Sequence, residues 1–150
     1  MTTVPAALPV ALPRLIQAVL EIALAGRVAG HELNGRCGFG PRGLEGYLQY
    51  LAHDGVLRGW RGSYGGGYGL GREPTRISVG DIARSARRYS LEISGTKSWL
   101  EGDVWPVPGT IGCSVVRPAL EALDRKIMAE LDALTIADLM RPIVEQGGGI

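Results

Sequence analysis

Twenty-six residues, RGSYGGGYGLGREPTRISVGDIARSA at positions 61–86, constrain this chain more than any others. Gly62 and Gly65 to Gly67 lie between two short apolar and aromatic runs, residues 56–60 and 68–70. That is the pattern of a β-hairpin with a tight tip, because glycine tolerates backbone angles other residues avoid. Pro74 ends the ribbon. Ser78 with Asp81 three residues later forms a capping box, which predicts a helix from Val79 to about Arg88.

Helical periodicity accounts for what precedes the hairpin. Leu12, Leu15, Ile16, Val19, Leu20 and Ala23 recur three and four apart, predicting an amphipathic helix over residues 12–25. Gly26 and Gly30 bracket a turn, and residues 31–37 read as a short second helix ended by Gly38. Pro41 suits the first turn of a third helix, where its missing N–H costs nothing. Leu44, Tyr47, Leu48 and Leu51 share one face of that helix, and Arg42, Gly43, Glu45, Gly46 and Gln49 share the other. Gly55 is its C-cap. Three helices followed by a hairpin and a further helix predict a mainly α fold, a winged helix-turn-helix unit. Such a unit lays one helix in a DNA major groove and reaches the neighbouring backbone or minor groove with its ribbon.

Beyond the predicted helix, residues 89–112 read as irregular, with Pro106, Pro108 and several glycines. Leu120, Leu123, Ile127, Leu131 and Leu134 then form a seam on a long C-terminal helix, and Thr135 with Asp138 caps a last short one. One short helix cannot cover such a seam, so it is expected to pair with its two-fold mate. The organisation read from the sequence is an extended segment over 1–11, a winged helix-turn-helix over 12–88, and a connecting loop, dimerisation helix and tail over 89–150.

Composition excludes other classes. The 150 residues are 45% hydrophobic and 21% charged, with no apolar run long enough to span a membrane. The opening MTTVPAALPVALPRL lacks the basic start of a secretory signal, and two cysteines, Cys37 and Cys113, cannot build a disulfide framework. A cytoplasmic protein is expected. Net charge is only +1, but residues 27–88 carry ten arginines against five acidic groups, and residues 89–150 five basic groups against nine acidic ones. A basic, lysine-free stretch followed by an acidic one points to separate tasks. His31 and His53 have no metal-ligand spacing, and Met128 and Met140 belong to the apolar tail. Trp60, Trp99 and Trp105 read as core or as the lining of a small effector pocket. No nucleophile, base and oxyanion donor converge, so no enzyme is expected.

Residues 31–86 resemble the Rrf-two (IscR/NsrR-like) family of bacterial winged-helix transcriptional regulators. The features shared are the helix LEGYLQYLAHDGVL, the wing RG…GGGY followed by LGR, and ISVGDI leading into a helix. In the tail, Cys113 followed by Leu120, an amphipathic helix and TIADLM are similar to that family's dimerisation region. The resemblance implies a homodimer that binds a pseudo-palindromic operator in double-stranded DNA, as repressor or activator. It also implies that many members hold an iron–sulfur cluster through three cysteines, of which only Cys113 has a counterpart here.

The candidate DNA contacts are Pro41, Arg42, Gly43, Glu45 and Gln49 on the reading helix, and Arg61, Gly62, Ser63 and Tyr64 on the wing. Arg reads guanine, Gln adenine, and Glu accepts from cytosine. Arg61 opens the wing tip, where a narrow minor groove attracts a guanidinium. The tip is one residue longer than the usual form, and Gly43 and Gly46 replace larger residues. Leu120, Leu123, Ile127, Leu131 and Leu134 are the candidate dimerisation residues, and no cofactor or metal ligand set is expected. Two alternatives stay open: a dimeric scaffold that recruits a protein partner, and a redox or iron–sulfur sensor using Cys113.

Overall fold

The computed structural model describes residues 11–37, 43–60, 66–94 and 109–145. The elements run α1 (Leu12–Ala25), α2 (Gly30–Cys37), α3 (Gly43–His53), β1 (Leu57–Trp60), β2 (Gly67–Leu70), a 3-10 turn (Pro74–Arg76), α4 (Val79–Tyr89), α5 (Arg117–Ala133) and α6 (Ile136–Glu145). The mainly α fold with one small hairpin is the architecture expected from the sequence.

α1 forms because its apolar residues fall on one stripe: Leu12, Leu15, Val19 and Ile22 are all buried. Pro13 occupies the first turn. Gly26, at φ +82°, donates from its backbone N–H to the Ile22 carbonyl and ends the helix in a conformation that a side chain would resist. α3 buries Leu44, Leu48 and Leu51 in the core and packs on α4, β1 and α2. Its end is a Schellman turn. Gly55 at φ +81° donates to Ala52 O, and Val56 N–H reaches back to Leu51 O at 3.0 Å. Val56 was expected to open the first strand; because its N–H closes α3, pairing begins one residue later.

The hairpin is antiparallel, with Leu57 opposite Leu70 and Trp60 opposite Gly67. Val28 adds itself to the far edge of β2 through paired bonds with Tyr68, 3.0 and 2.9 Å. The wing sheet therefore runs Val28, β2, β1, and its root is sewn to the α1–α2 connection.

After the wing, Arg72 fastens the exit: Nε donates to Gly55 O, and Nη1 donates to Arg76 O and Asp81 Oδ2. α4 starts at the capping box expected from Ser78 and Asp81, with both bonds at 3.0 Å. A second box, Thr135 with Asp138, starts α6. The two boxes lie back to back. Ser78 pairs with Thr135 in an isolated antiparallel bridge, Val79 N–H donates to Leu134 O, and Ile136 N–H donates to Ile77 O, both at 2.8 Å. Ile77, Val79 and Ile136 on either side of this joint are fully buried, so the α5–α6 corner is locked to the head.

At both ends of the stretch read as a loop, the described residues are helical. α4 continues through a wide π-type turn at Ser90–Ser94, and another at Gly112–Val116 leads into α5.

Candidate nucleic-acid interface

α3 turns its leucines inward and leaves Glu45 and Gln49 exposed. Gln49 has no hydrogen-bond partner among the described residues. Glu45 has a partner. Tyr68 on β2 donates its hydroxyl to Glu45 Oε1 at 2.9 Å, which ties the reading helix to the wing. Burial, and then the adjacent carboxylate, push the Tyr68 phenol well above its ordinary range, so it stays a donor at any physiological pH. Glu45 Oε1 therefore accepts from the wing, a partner that the sequence did not indicate.

Gly46 departs from expectation more sharply. It was placed on the open face, but the Tyr89 ring of α4 lies directly over it and a Cβ there would run into that ring. Tyr89 sits among Tyr47 (centroids 4.4 Å apart) and Tyr50 (5.2 Å, edge on), and Tyr47 Oη lies 3.1 Å from Ser90 Oγ. The glycine is a packing requirement of the α3–α4 contact. Its partner is 43 residues away, and no local signal marks it.

α4 also holds the end of α3 through Asp54, which accepts from Ser85 Oγ at 2.7 Å and Arg88 Nη2 at 2.9 Å. Burial alone would raise the Asp54 carboxyl, but the bonds from Ser85 and Arg88 and the charge of Arg88 outweigh it. The net shift is below the ordinary 3.8.

The outer face of the wing sheet carries a group the sequence did not single out as charged. Trp60 shares one face of β1 with Arg58 and lies over Gly69, whose ideal Cβ would fall 2.6 Å from the indole. Arg27 Cζ stands 4.7 Å from the Trp60 ring centroid and Arg58 Cζ 5.6 Å, both in cation–π range. Trp60 stands outside the core cluster and serves as a shelf for two guanidinium groups. Trp99 and Trp105 lie outside the described residues. So do Pro41, Arg42, Arg61, Gly62, Ser63 and Tyr64, and Gly43 is placed only as the first residue of α3.

At the other end of the molecule, α5 has no buried residue. Leu123 is 46% exposed, Val115 60% and Ile111 81%. Leu120 and Ile127 are half-buried, and Leu134 is exposed at the corner with α6. Leu131 differs from the rest of the seam, since it packs on this chain's own core beside Leu139 and Met140. α5 meets α4 through Arg84, paired with Asp132 at 2.9 Å, and Arg87, paired with Asp124 at 3.7 Å.

The cysteines are far from equivalent. Cys37 is a buried residue of the head core, and burial raises its thiol pKa, as an inert structural cysteine requires. Cys113 lies in the wide turn before α5. No three His, Cys, Asp or Glu residues converge to hold a metal among the described residues. With Cys37 committed to the core, one thiolate per chain remains, too few by itself to hold an iron–sulfur cluster.

A three-helix head, a two-stranded wing sewn to it and a protruding C-terminal helix define a winged-helix transcriptional regulator. Residues 12–142 match the Rrf2 family, described as iron-dependent transcriptional regulators, and the chain belongs to that family. Among solved structures, IscR of T. potens is similar at 26% identity and a TM-score of 0.64, over 93% of this chain and 90% of that one. Staphylococcus aureus CymR matches at 19% identity and a TM-score of 0.60, over 87% and 95%. CymR (YrzC), the global cysteine regulator of B. subtilis, matches at 22% and 0.58, over 93% and 95%, so both CymR likenesses speak for the fold. No curated protein matches the sequence significantly. No helix among the described residues is long and apolar enough to cross a membrane.

Proposed function

We propose that the chain is a cytoplasmic homodimer that binds a pseudo-palindromic operator in double-stranded DNA. In this reading the head, residues 12–88, contacts DNA and the remainder, residues 89–150, pairs the two copies. Pro41, Arg42, Gly43 and Gln49 address the major groove, and Arg61, Gly62, Ser63 and Tyr64 the adjacent backbone or minor groove. Glu45 acts by holding the wing rather than by accepting from a base.

The Tyr68–Glu45 hydrogen bond is the observation that carries this reading. It couples the two elements a winged helix sets against DNA, so that reading helix and wing dock as one body. Leu123, exposed on α5 between the half-buried Leu120 and Ile127, supports pairing with a second copy, which brings two half-sites into register. Family and structural neighbours are transcriptional regulators rather than enzymes, and no catalytic role is proposed. Cys113, the one thiol outside the head core, is the candidate residue for a redox or iron–sulfur sensor.

Selection of genomic fragments by purified protein, in parallel with Arg61→Ala, tests the reading. Enrichment of one palindromic site, lost in the variant, is the expected result. No enrichment at low salt, with and without oxygen, contradicts it and favours a protein-binding scaffold.

A further inference from the structure

Most described arginines answer to a carboxylate. Arg36 pairs with Glu21 and Glu32, Arg72 and Arg84 with Asp81, Arg88 with Asp54, Arg117 with Glu121 and Arg141 with Asp138. Arg27, Arg58, Arg76 and Arg125 have no such pair among the described residues, and of these Arg27 and Arg58 share one aromatic ring. Both lie against Trp60. From their distances to one centroid, the two guanidinium carbons lie within about 10 Å of each other. Two like charges are brought together with only an aromatic face to stabilise them.

The chain gives up side chains to keep this arrangement. Opposite Arg58 stands Gly69 and opposite Trp60 stands Gly67, so β2 presents no side chain on that face, and the far end of the indole lies over Gly69. Gly69 is buried beneath the ring, and the Gly26 carbonyl lies 3.0 Å from where its Cβ would be. The ring therefore spans β2 from β1 toward the α1–α2 connection that supplies Arg27. Stacking restricts both guanidinium groups before any ligand arrives, which lowers the entropy lost on binding an anion.

We infer that Arg27 and Arg58, set by Trp60, form a phosphate clamp on the DNA backbone, separate from the wing tip. It binds the duplex by charge and not by sequence, as a guanidinium facing phosphate oxygens does. The inference rests on the proposed DNA binding and adds to it a contact at the root of the wing.

The test is a salt titration of full-length protein on a mixed-sequence 30-base-pair duplex, read by fluorescence anisotropy. The parent, Arg27→Ala, Arg58→Ala, the double alanine variant, the double lysine variant and Trp60→Leu are compared. Each phosphate contact contributes about 0.9 to the slope of log K against log salt, or roughly 3.5-fold in affinity between 50 and 200 mM. Each single alanine variant is expected to lower the slope by about 0.9 and the double by about 1.8, so that it loses roughly twelvefold less affinity over that interval. The lysine pair restores the slope. Trp60→Leu keeps the slope but binds more weakly at every salt, since the charges remain and their placement is lost. A parent that binds with a steep slope, and a double alanine variant that keeps it, would overturn the clamp while leaving DNA binding intact. A parent with no salt-dependent binding would overturn the proposed function, and the clamp with it.

Discussion

The head and α5 solve the burial problem in opposite ways. In the head, α1, α3 and α4 each place three or more side chains in one continuous core, with Leu15, Leu48, Ile77 and Ile82 fully enclosed. Each such burial is worth about 1.5–3 kcal/mol against an exposed side chain. α5 runs 17 residues without one buried residue. It keeps its place through the corner joint with Ser78 and Thr135, the Arg84–Asp132 and Arg87–Asp124 pairs, and Leu131. The head is a finished object. α5 presents an apolar face that a second copy would complete.

Substitutions in the two regions should separate accordingly. The largest effect is expected from Leu48→Ala, which opens a cavity in the enclosed core and costs about 2–5 kcal/mol, read as a lowered urea midpoint. Gly46→Ala comes next, because its methyl meets the Tyr89 ring; a loss of about 1–3 kcal/mol is expected, recovered in part by Tyr89→Leu. A full loss with no recovery would place the strain elsewhere. Thr135→Ala removes the cap of α6 at the corner joint and should cost about 1 kcal/mol in thermal unfolding. Leu123→Ala, on the open face, should change the stability of the isolated chain by no more than about 0.5 kcal/mol. A Leu123 effect as large as that of Leu48 would erase the contrast.

Acid sharpens the same comparison. Asp54 and Asp81 in the head and Asp138 at the corner are held below 3.8, chiefly because hydrogen bonds to their charged forms outweigh burial. A carboxyl with a depressed native pKa binds fewer protons folded than unfolded, so its stabilisation is present above 3.8 and lost as pH falls through the native value. The urea midpoint should be flat above about pH 5 and decline below pH 4. Asp54→Asn should flatten part of that decline.

Sequence pattern reached what local rules determine. The stripe of α1, the Schellman glycine at 55 and both capping boxes depend on residues within one or two turns, and all were legible. The jobs of Gly46, Glu45 and Trp60 were not, because each is decided by a residue far along the chain: Tyr89, Tyr68 and Arg27. The wide turns at Ser90–Ser94 and Gly112–Val116 also escaped, since glycines and prolines between them suggested a loop throughout. Arg27 and Arg58 read as two solvated charges among ten arginines until the indole between them was placed.

The mass of the chain in solution, measured by sedimentation equilibrium at micromolar concentration beside Leu123→Glu, tests the central claim most directly. Twice 15.9 kDa is expected for the parent and 15.9 kDa for the variant, with the head folded in both. A parent that sediments as a single 15.9 kDa species, with its α5 face bare, would contradict it.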